Sequence, residues 1–238
     1  MRQERIGGLT VRFAGGTDGQ GSGRGPSVVL LHGFGAPGDD LAPLWQVVDA
    51  PKDTRFLFPE GPLRVPNGFG EGRAWWMIDL ERIARDQAAG RPRDLSGEKP
   101  KGFPEARQAV QRMLADLARH HGVDMRRTVL GGFSQGAMLA CDVTLRLGRG
   151  PAGLAVLSGT LLAQDEWQPL MPARRGLRVV QSHGTQDPLL PYAQAERLRD
   201  LMTQAGLAVD WVGFRGGHEI PDVALDCLGR LLRSVLAA

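Results

Sequence analysis

The chain has 238 residues, of which 42% are hydrophobic and 23% charged, and its 29 basic and 26 acidic side chains leave a net charge of +3. This length and composition predict one folded domain and exclude a disordered or collagen-like chain. The near balance of charges gives no reason to expect nucleic-acid binding. The sequence contains no apolar run of about 18 residues, so no membrane span is predicted. A weak association with a membrane surface stays open.

The two cysteines, Cys141 and Cys227, are too few for a disulfide framework, and no C-x-x-C pattern predicts a metal site. Residues 1–8 lack the apolar stretch of a signal peptide. We therefore expect a cytoplasmic protein.

Short apolar runs alternate along the chain with segments of helical periodicity. The predicted strands are residues 9–13, 28–31, 56–58, 128–130, 153–157, 177–180 and 209–214. The predicted helices lie near residues 106–117, directly after 136, and near 195–202 and 223–232. Such alternation is typical of an α/β fold with a mostly parallel central sheet and helices on both faces. Functional groups in such folds gather at the carboxyl ends of the strands.

Two connections interrupt this pattern. Residues 15–26 are rich in glycine, and we interpret them as a hairpin connection, because too few residues precede them to fold alone. Residues 84–103 are polar and broken by Gly and Pro. A connection of this length is either a lid over a site or a mobile segment, and the sequence favours neither.

A G-x-S-x-G pattern, Gly132 to Gly136, lies between an apolar run and a helical segment. In that context it predicts a nucleophile elbow, a sharp strand-to-helix turn that exposes the hydroxyl of Ser134. The alternative is a serine in a glycine-rich loop of a nucleotide-binding sheet. The elbow becomes the better interpretation only if a base and an acid for Ser134 follow elsewhere in the chain.

A serine hydroxyl needs a base to take its proton and an acid to orient that base. In folds that carry this elbow, the acid and then the histidine follow the serine along the chain. Only His183 and His218 follow Ser134. We predict His218 as the base because it directly follows the last predicted strand, and we expect His183 to make a local turn contact.

For the acid we predict Asp187, which follows the predicted strand at 177–180 in a loop that Pro188 and Pro191 stiffen. Asp165 and Asp210 are weaker competitors, since one lies in a polar connection and the other within a strand.

An oxyanion hole requires two further donors. The main-chain N–H of Gln135 follows the nucleophile at a helix start, and we choose the N–H of Phe34, in the loop after an early strand, as the second. A phosphate cradle at that loop is disfavoured, because the Lys-Ser/Thr pair of a P-loop is missing. We expect His32 to shape this loop rather than to act as a base.

Four stretches, residues 31–35 (LHGFG), 132–136 (GFSQG), 183–188 (HGTQDP) and 217–218 (GH), together resemble the phospholipase/carboxylesterase family of α/β-hydrolases. That family includes acyl-protein thioesterases, lysophospholipases and small carboxylesterases. The resemblance implies a single-domain α/β-hydrolase fold and the catalytic triad Ser134, Asp187 and His218. It also implies the donors Phe34 and Gln135 and no cofactor.

The expected activity is hydrolysis of a small carboxylic ester through an acyl-enzyme. A thioesterase with the same triad and a non-catalytic binding protein on the same fold are the alternatives. Trp75, Trp76 and Leu189 are candidates for an acyl pocket, although packing in the core explains the tryptophans equally well. The oligomeric state cannot be predicted from the sequence.

Overall fold

A computed structural model of the protein describes residues 1–66, 71–90 and 93–237. The strands of this part of the chain are β1 (Arg2–Ile6), β2 (Leu9–Gly16), β3 (Gln20–Ser22), β4 (Ser27–Leu31), β5 (Arg55–Pro59), β6 (Leu63–Pro66), β7 (Glu71–Ala74), β8 (Thr128–Phe133), β9 (Gly153–Leu157), β10 (Arg178–Gly184) and β11 (Ala208–Phe214). The α-helices are α1 (Leu44–Val47), α2 (Leu80–Ala88), α3 (Phe103–His120), α4 (Gln135–Arg146), α5 (Gln164–Leu170), α6 (Tyr192–Gln204) and α7 (Asp222–Leu236).

The central sheet has the order β1-β2-β5-β4-β8-β9-β10-β11, with β3 paired to β2. From β5 to β11 every neighbouring pair is parallel, whereas β1 and β2 form an antiparallel edge. Strands β6 and β7 form a separate hairpin. Because β4, β8, β9, β10 and β11 run in one direction, the loops that follow them meet at one edge of the sheet.

Two apolar clusters cover the two faces of the sheet. Side chains of α3, α4 and α6 pack on one face around Leu130 and Val156, and α7 packs on the other around Val129 and Val180. Successive residues of a strand point to opposite faces, so these fully covered strands read as continuous apolar runs in the sequence. The predicted α/β fold with a mostly parallel sheet is confirmed.

The structure differs from the sequence prediction at the edges of the fold. Strand β1 was not predicted because it is polar, and it lies at the sheet edge with alternating exposure. Within residues 15–26, strand β3 pairs in parallel with β2, so this stretch is more than a hairpin connection. Helix α2 lies in a charged segment for which no helix was predicted. No helix in the described ranges is long and apolar enough to cross a membrane.

Candidate active site

Ser134 lies in the turn between the end of β8 and the start of α4. Its backbone has φ 54° and ψ −117°, a region that non-glycine residues rarely adopt. The strain is held by the surrounding sheet, since the Ser134 N–H donates to the carbonyl of Leu157 at 2.9 Å at the end of neighbouring β9. The Ser134 carbonyl accepts from the first turn of α4, so the residue joins a strand directly to a helix.

The two flanking glycines are required by close backbone contacts. A Cβ at Gly132 would lie 2.5 Å from the carbonyl oxygen of Leu31 and 2.6 Å from the carbonyl carbon of Gly136. A Cβ at Gly136 would overlap the same Leu31 oxygen. The G-x-S-x-G spacing therefore reflects how closely β4, β8 and α4 approach at this turn.

Asp187 and His218 follow the ends of β10 and β11, and these neighbouring strands bring them together. The Nδ1 atom of His218 lies 2.7 Å from Oδ2 of Asp187, whose side chain is fully buried. Oδ1 of Asp187 accepts the N–H groups of Leu189 and Leu190 at 2.8 and 2.9 Å. Burial raises the pKa of Asp187, but hydrogen bonds from His183, His218 and Leu190 outweigh it and hold the pKa below its usual range.

The competing residues, His183, Asp165 and Asp210, are in different positions from His218 and Asp187. His183 is buried, with Nε2 2.9 Å from the Leu190 carbonyl and 3.3 Å from Oδ2 of Asp187. It thus makes the local contact expected of it and also supports the Asp187 carboxylate, which the sequence did not indicate. Asp165 is exposed and paired with Lys99 at 2.6 Å, and Asp210 is exposed on β11.

The loop that carries His218 is fixed by contacts that the sequence did not predict. The hydroxyl of Ser158, a second residue with positive φ (48°), donates to the carbonyl of Glu219 at 3.0 Å. The ring of Phe133 lies 4.8 Å from the His218 ring, centroid to centroid. Ser158 follows β9 at the same edge of the sheet as Ser134, and this position is the one sequence signal that could have identified it.

The loop after β4 is shaped by His32, as expected. Its ring is buried, Nε2 accepts the N–H of Gly61 at 2.9 Å, and Nδ1 lies 2.7 Å from the carbonyl oxygen of Gly33. Because Nε2 accepts, Nδ1 carries the proton and donates to Gly33. Burial lowers the pKa of His32, and the bond to Gly33 offsets this only in part, so the ring stays neutral.

Ser134, Gln135, His218, Gly33 and Phe34 all line one cavity of about 410 Å³. Apolar side chains from several elements also line this cavity; they include Trp76, Ile78, Ile83, Leu95, Met138 and Leu162. Met77, Leu80 and Leu189 also line it and have exposed side chains. A hydroxyl and an imidazole thus share a cavity whose largely apolar lining suits an apolar group.

One wall of this cavity comes from α2 and the segment that leads to α3. Arg82, Arg93, Glu98 and Lys101 line it, and the guanidinium of Arg82 donates to Glu98 at 2.7 Å. This stretch overlaps the polar connection predicted at 84–103, of which residues 91 and 92 lie outside the described residues. The described part of the chain holds no group of three His, Cys, Asp or Glu side chains that could bind a metal ion.

The three pocket candidates differ in position. Trp76 and Leu189 line the cavity, whereas Trp75 is 1% exposed and lies behind the wall. Of the two interpretations given for Trp75, its position fits packing in the core. Its indole N–H donates to the carbonyl of His32 at 3.0 Å, which anchors the ring in the core.

The fold and the arrangement at the ends of its strands define an α/β-hydrolase. A model of the phospholipase/carboxylesterase family matches residues 21–236, and the chain belongs to that family. It is 25% identical to acyl-protein thioesterase 1 of Candida albicans over 78% of this chain and 80% of that protein. It is 29% identical to acyl-protein thioesterase 1 of Eremothecium gossypii over 75% of this chain and 73% of that protein.

Solved structures give the same picture. Esterase PE8 superposes with a TM-score of 0.79 at 29% identity, over 96% of this chain and 99% of PE8. The carboxylesterase of Bacillus cereus superposes with a TM-score of 0.68 at 20% identity, over 95% of this chain and 94% of that one, a likeness of fold alone. The chain is a hydrolase of the esterase and thioesterase class.

Proposed function

We propose that the protein hydrolyses carboxylic esters through an acyl-enzyme on Ser134, with His218 as the base and Asp187 as the acid that orients it. The observation that carries this proposal is the shared cavity of Ser134 and His218, together with the 2.7 Å contact between His218 Nδ1 and Asp187 Oδ2. A proton on Nδ1 leaves the lone pair of Nε2 free to accept the serine proton.

In the proposed reaction, Oγ of Ser134 attacks the acyl carbon while Nε2 of His218 takes the hydroxyl proton. The carbonyl oxygen becomes negatively charged and is stabilised by the N–H groups of Phe34 and Gln135. The carbon–oxygen bond to the alcohol then breaks, and His218 gives its proton to the leaving oxygen. Water repeats the sequence on the acyl-enzyme, releases the carboxylic acid and restores the serine hydroxyl.

Thioester hydrolysis is the second candidate function, because two of the relatives are acyl-protein thioesterases. The same residues perform both reactions, and only the leaving atom differs. No cofactor enters either proposed reaction, since the nucleophile, base, acid and donors are all groups of the chain.

We also propose that α2 and the segment up to α3 act as a lid-like wall of the acyl pocket. Ile83 and Leu95 are buried against the cavity, while most of the other side chains that the structure describes in this stretch are exposed.

The exposed side chains of Met77, Leu80 and Leu189 favour a weak association with a membrane surface. Cys141 and Cys227 are both free, which favours a cytoplasmic location.

The experiment is a substrate profile of the purified protein. We expect hydrolysis of p-nitrophenyl esters of graded acyl length, with kcat lowered by roughly 10⁴-fold or more in Ser134→Ala. Matched acyl thioesters, measured on the same preparations, decide between the two functions. A wild-type protein that hydrolyses neither series, or a Ser134→Ala variant as active as the wild type, would contradict the proposal.

A further inference from the structure

Trp75 lies between the two loops that carry the proposed oxyanion donors. Its indole N–H donates to the carbonyl of His32 at 3.0 Å, and the two rings lie 5.4 Å apart, centroid to centroid. Its main-chain N–H donates to Oε1 of Gln135 at 2.9 Å. One buried residue thus contacts both the loop after β4 and the first residue of α4.

The side chain of Gln135 strengthens this connection. Its amide nitrogen donates to the carbonyl of Trp76 at 2.8 Å, while its oxygen accepts from Trp75. The amide therefore bonds two consecutive residues of the segment after β7, and its orientation is fixed by one donor and one acceptor. Gln135 is also the residue whose main-chain N–H is a proposed donor to the oxyanion.

On the other side, His32 sets the direction of the second donor. Its Nδ1–H group donates to the carbonyl of Gly33 at 2.7 Å. That carbonyl and the N–H of Phe34 belong to one peptide group. All described peptide bonds are trans, so the N–H points opposite to the carbonyl. Because the Gly33 oxygen points towards the His32 ring, the Phe34 N–H of the same peptide group points away from that ring.

We propose that Trp75 is a positioning residue that holds the two oxyanion donors, Phe34 and Gln135, at a fixed separation. This inference rests on the proposed function and extends it. Trp75 lies outside the cavity wall, so it acts on the reaction only through the residues it bonds. Donors that are placed in advance stabilise the charge that develops in the transition state more than they stabilise the bound substrate. Loss of Trp75 contacts should therefore lower kcat and leave KM almost unchanged.

The test is Trp75→Phe, which removes the indole N–H and keeps an aromatic ring. The matched control is Trp167→Phe, because Trp167 is also fully buried and its indole N–H donates to Oδ1 of Asp142 at 2.9 Å, away from the cavity. We expect both variants to melt at lower temperature than the wild type. Only Trp75→Phe should lose kcat, by about 10- to 100-fold with KM within about threefold.

A second measurement separates a donor effect from a pocket effect. A trifluoromethyl ketone forms a tetrahedral oxyanion with an active serine, and its affinity should fall by the same factor as kcat/KM in Trp75→Phe. The loss should be equal for short and long acyl esters. If a KM increase that depends on chain length is found instead, Trp75 shapes the pocket and the inference fails.

Equal kcat values in Trp75→Phe and Trp167→Phe would also overturn the inference. If Trp75→Phe does not fold, Gln135→Met decides, because it removes both amide hydrogen bonds at nearly constant shape and should lower kcat in the same way. Failure of the proposed function is seen separately, as a wild-type protein without esterase or thioesterase activity.

Discussion

The turn at Ser134 and the stretch from α2 to α3 both border the cavity, yet they are built in opposite ways. At the turn, neighbouring backbones approach so closely that Gly132 and Gly136 have no room for a Cβ. All but one of the twelve residues of α4 are buried. In the stretch from α2 to α3, by contrast, a Cβ at Gly97 would meet nothing within 4 Å, and partly exposed ion pairs such as Arg82–Glu98 lie at the surface.

We infer from this contrast that the turn at Ser134 serves the reaction itself, whereas the stretch from α2 to α3 contributes to the selection of substrate. Groups that must be held to within a fraction of an ångström lie on close-packed elements, where a small displacement is opposed by many contacts. The part of the cavity wall that is proposed as lid-like belongs to a surface segment, where substitutions cost little stability. We expect changes at the turn to abolish the reaction or the fold, and changes in the segment to alter substrate preference.

The largest effect is expected for Asp187→Asn. The substitution keeps the shape of the side chain but removes the negative charge that His218 Nδ1–H contacts, and kcat should fall by roughly 10⁴-fold. Asp165→Asn is the matched control, because Asp165 is exposed and paired with Lys99. The measurement is kcat of the wild type and of both variants, from steady-state kinetics with one ester substrate. A loss of less than tenfold in Asp187→Asn, or an equal loss in both variants, would remove Asp187 from the mechanism.

The packing contrast is tested directly by two glycine substitutions. Gly136→Ala places a methyl group against the Leu31 carbonyl and should lower the free energy of unfolding by about 3 kcal/mol. Gly97→Ala should change it by less than about 0.5 kcal/mol. Urea denaturation of the two variants measures the difference. Similar free energies of unfolding for the two variants would mean that the turn at Ser134 has room for a Cβ at Gly136.

His32, the buried histidine in the loop after β4, should make the free energy of unfolding depend on pH. Because the pKa of His32 is lowered in the folded protein, the unfolded chain binds a proton more readily than the folded one below the ordinary pKa of 6.5. The free energy of unfolding should therefore fall as the pH decreases below about 6.5, by at most about 1.4 kcal/mol per pH unit for this one group.

Urea denaturation at pH 7.5 and 5.5 tests this prediction. His32→Gln should show a smaller loss of stability between these pH values than the wild type. An unchanged pH dependence in His32→Gln would show that His32 titrates alike in the folded and unfolded chain.

The smallest effect is expected for Glu98→Gln in the segment after α2. The pair with Arg82 is partly exposed, with 55% and 30% of the two side chains accessible, so its loss should cost between about 0.2 and 1 kcal/mol. We expect KM for long acyl esters to change by about threefold or less, with kcat unchanged. A large fall in kcat would mean that this wall takes part in the reaction itself and does not only select the substrate.

The same contrast explains what the sequence could predict. The elbow was predictable because its steric requirement is local, so two glycines and a serine mark it within five residues. The positions of Asp187 and His218 were predictable because each follows an apolar strand at the same edge of the sheet. The strands themselves were predictable where both faces are covered, as at residues 128–130, and not at the polar edge strand β1.

The role of Trp75 was not predictable, because it depends on three segments that are distant in the chain. Its partners, His32 and Gln135, lie 43 and 60 residues away. The tryptophan itself gives no sign of whether its ring faces a pocket or the core. Helix α2 was not predicted for a different reason: its charged residues are typical of any solvated surface, and Ile83 is the one buried residue among its described side chains.

The central claim is that Ser134 is an activated nucleophile. Reaction of the folded protein with a fluorophosphonate, followed by mass spectrometry of its peptides, measures this most directly. We predict one adduct per chain on the peptide that contains Ser134, formed much more slowly in His218→Ala. Absence of labelling in folded wild-type protein, or an adduct on a different residue, would contradict the account.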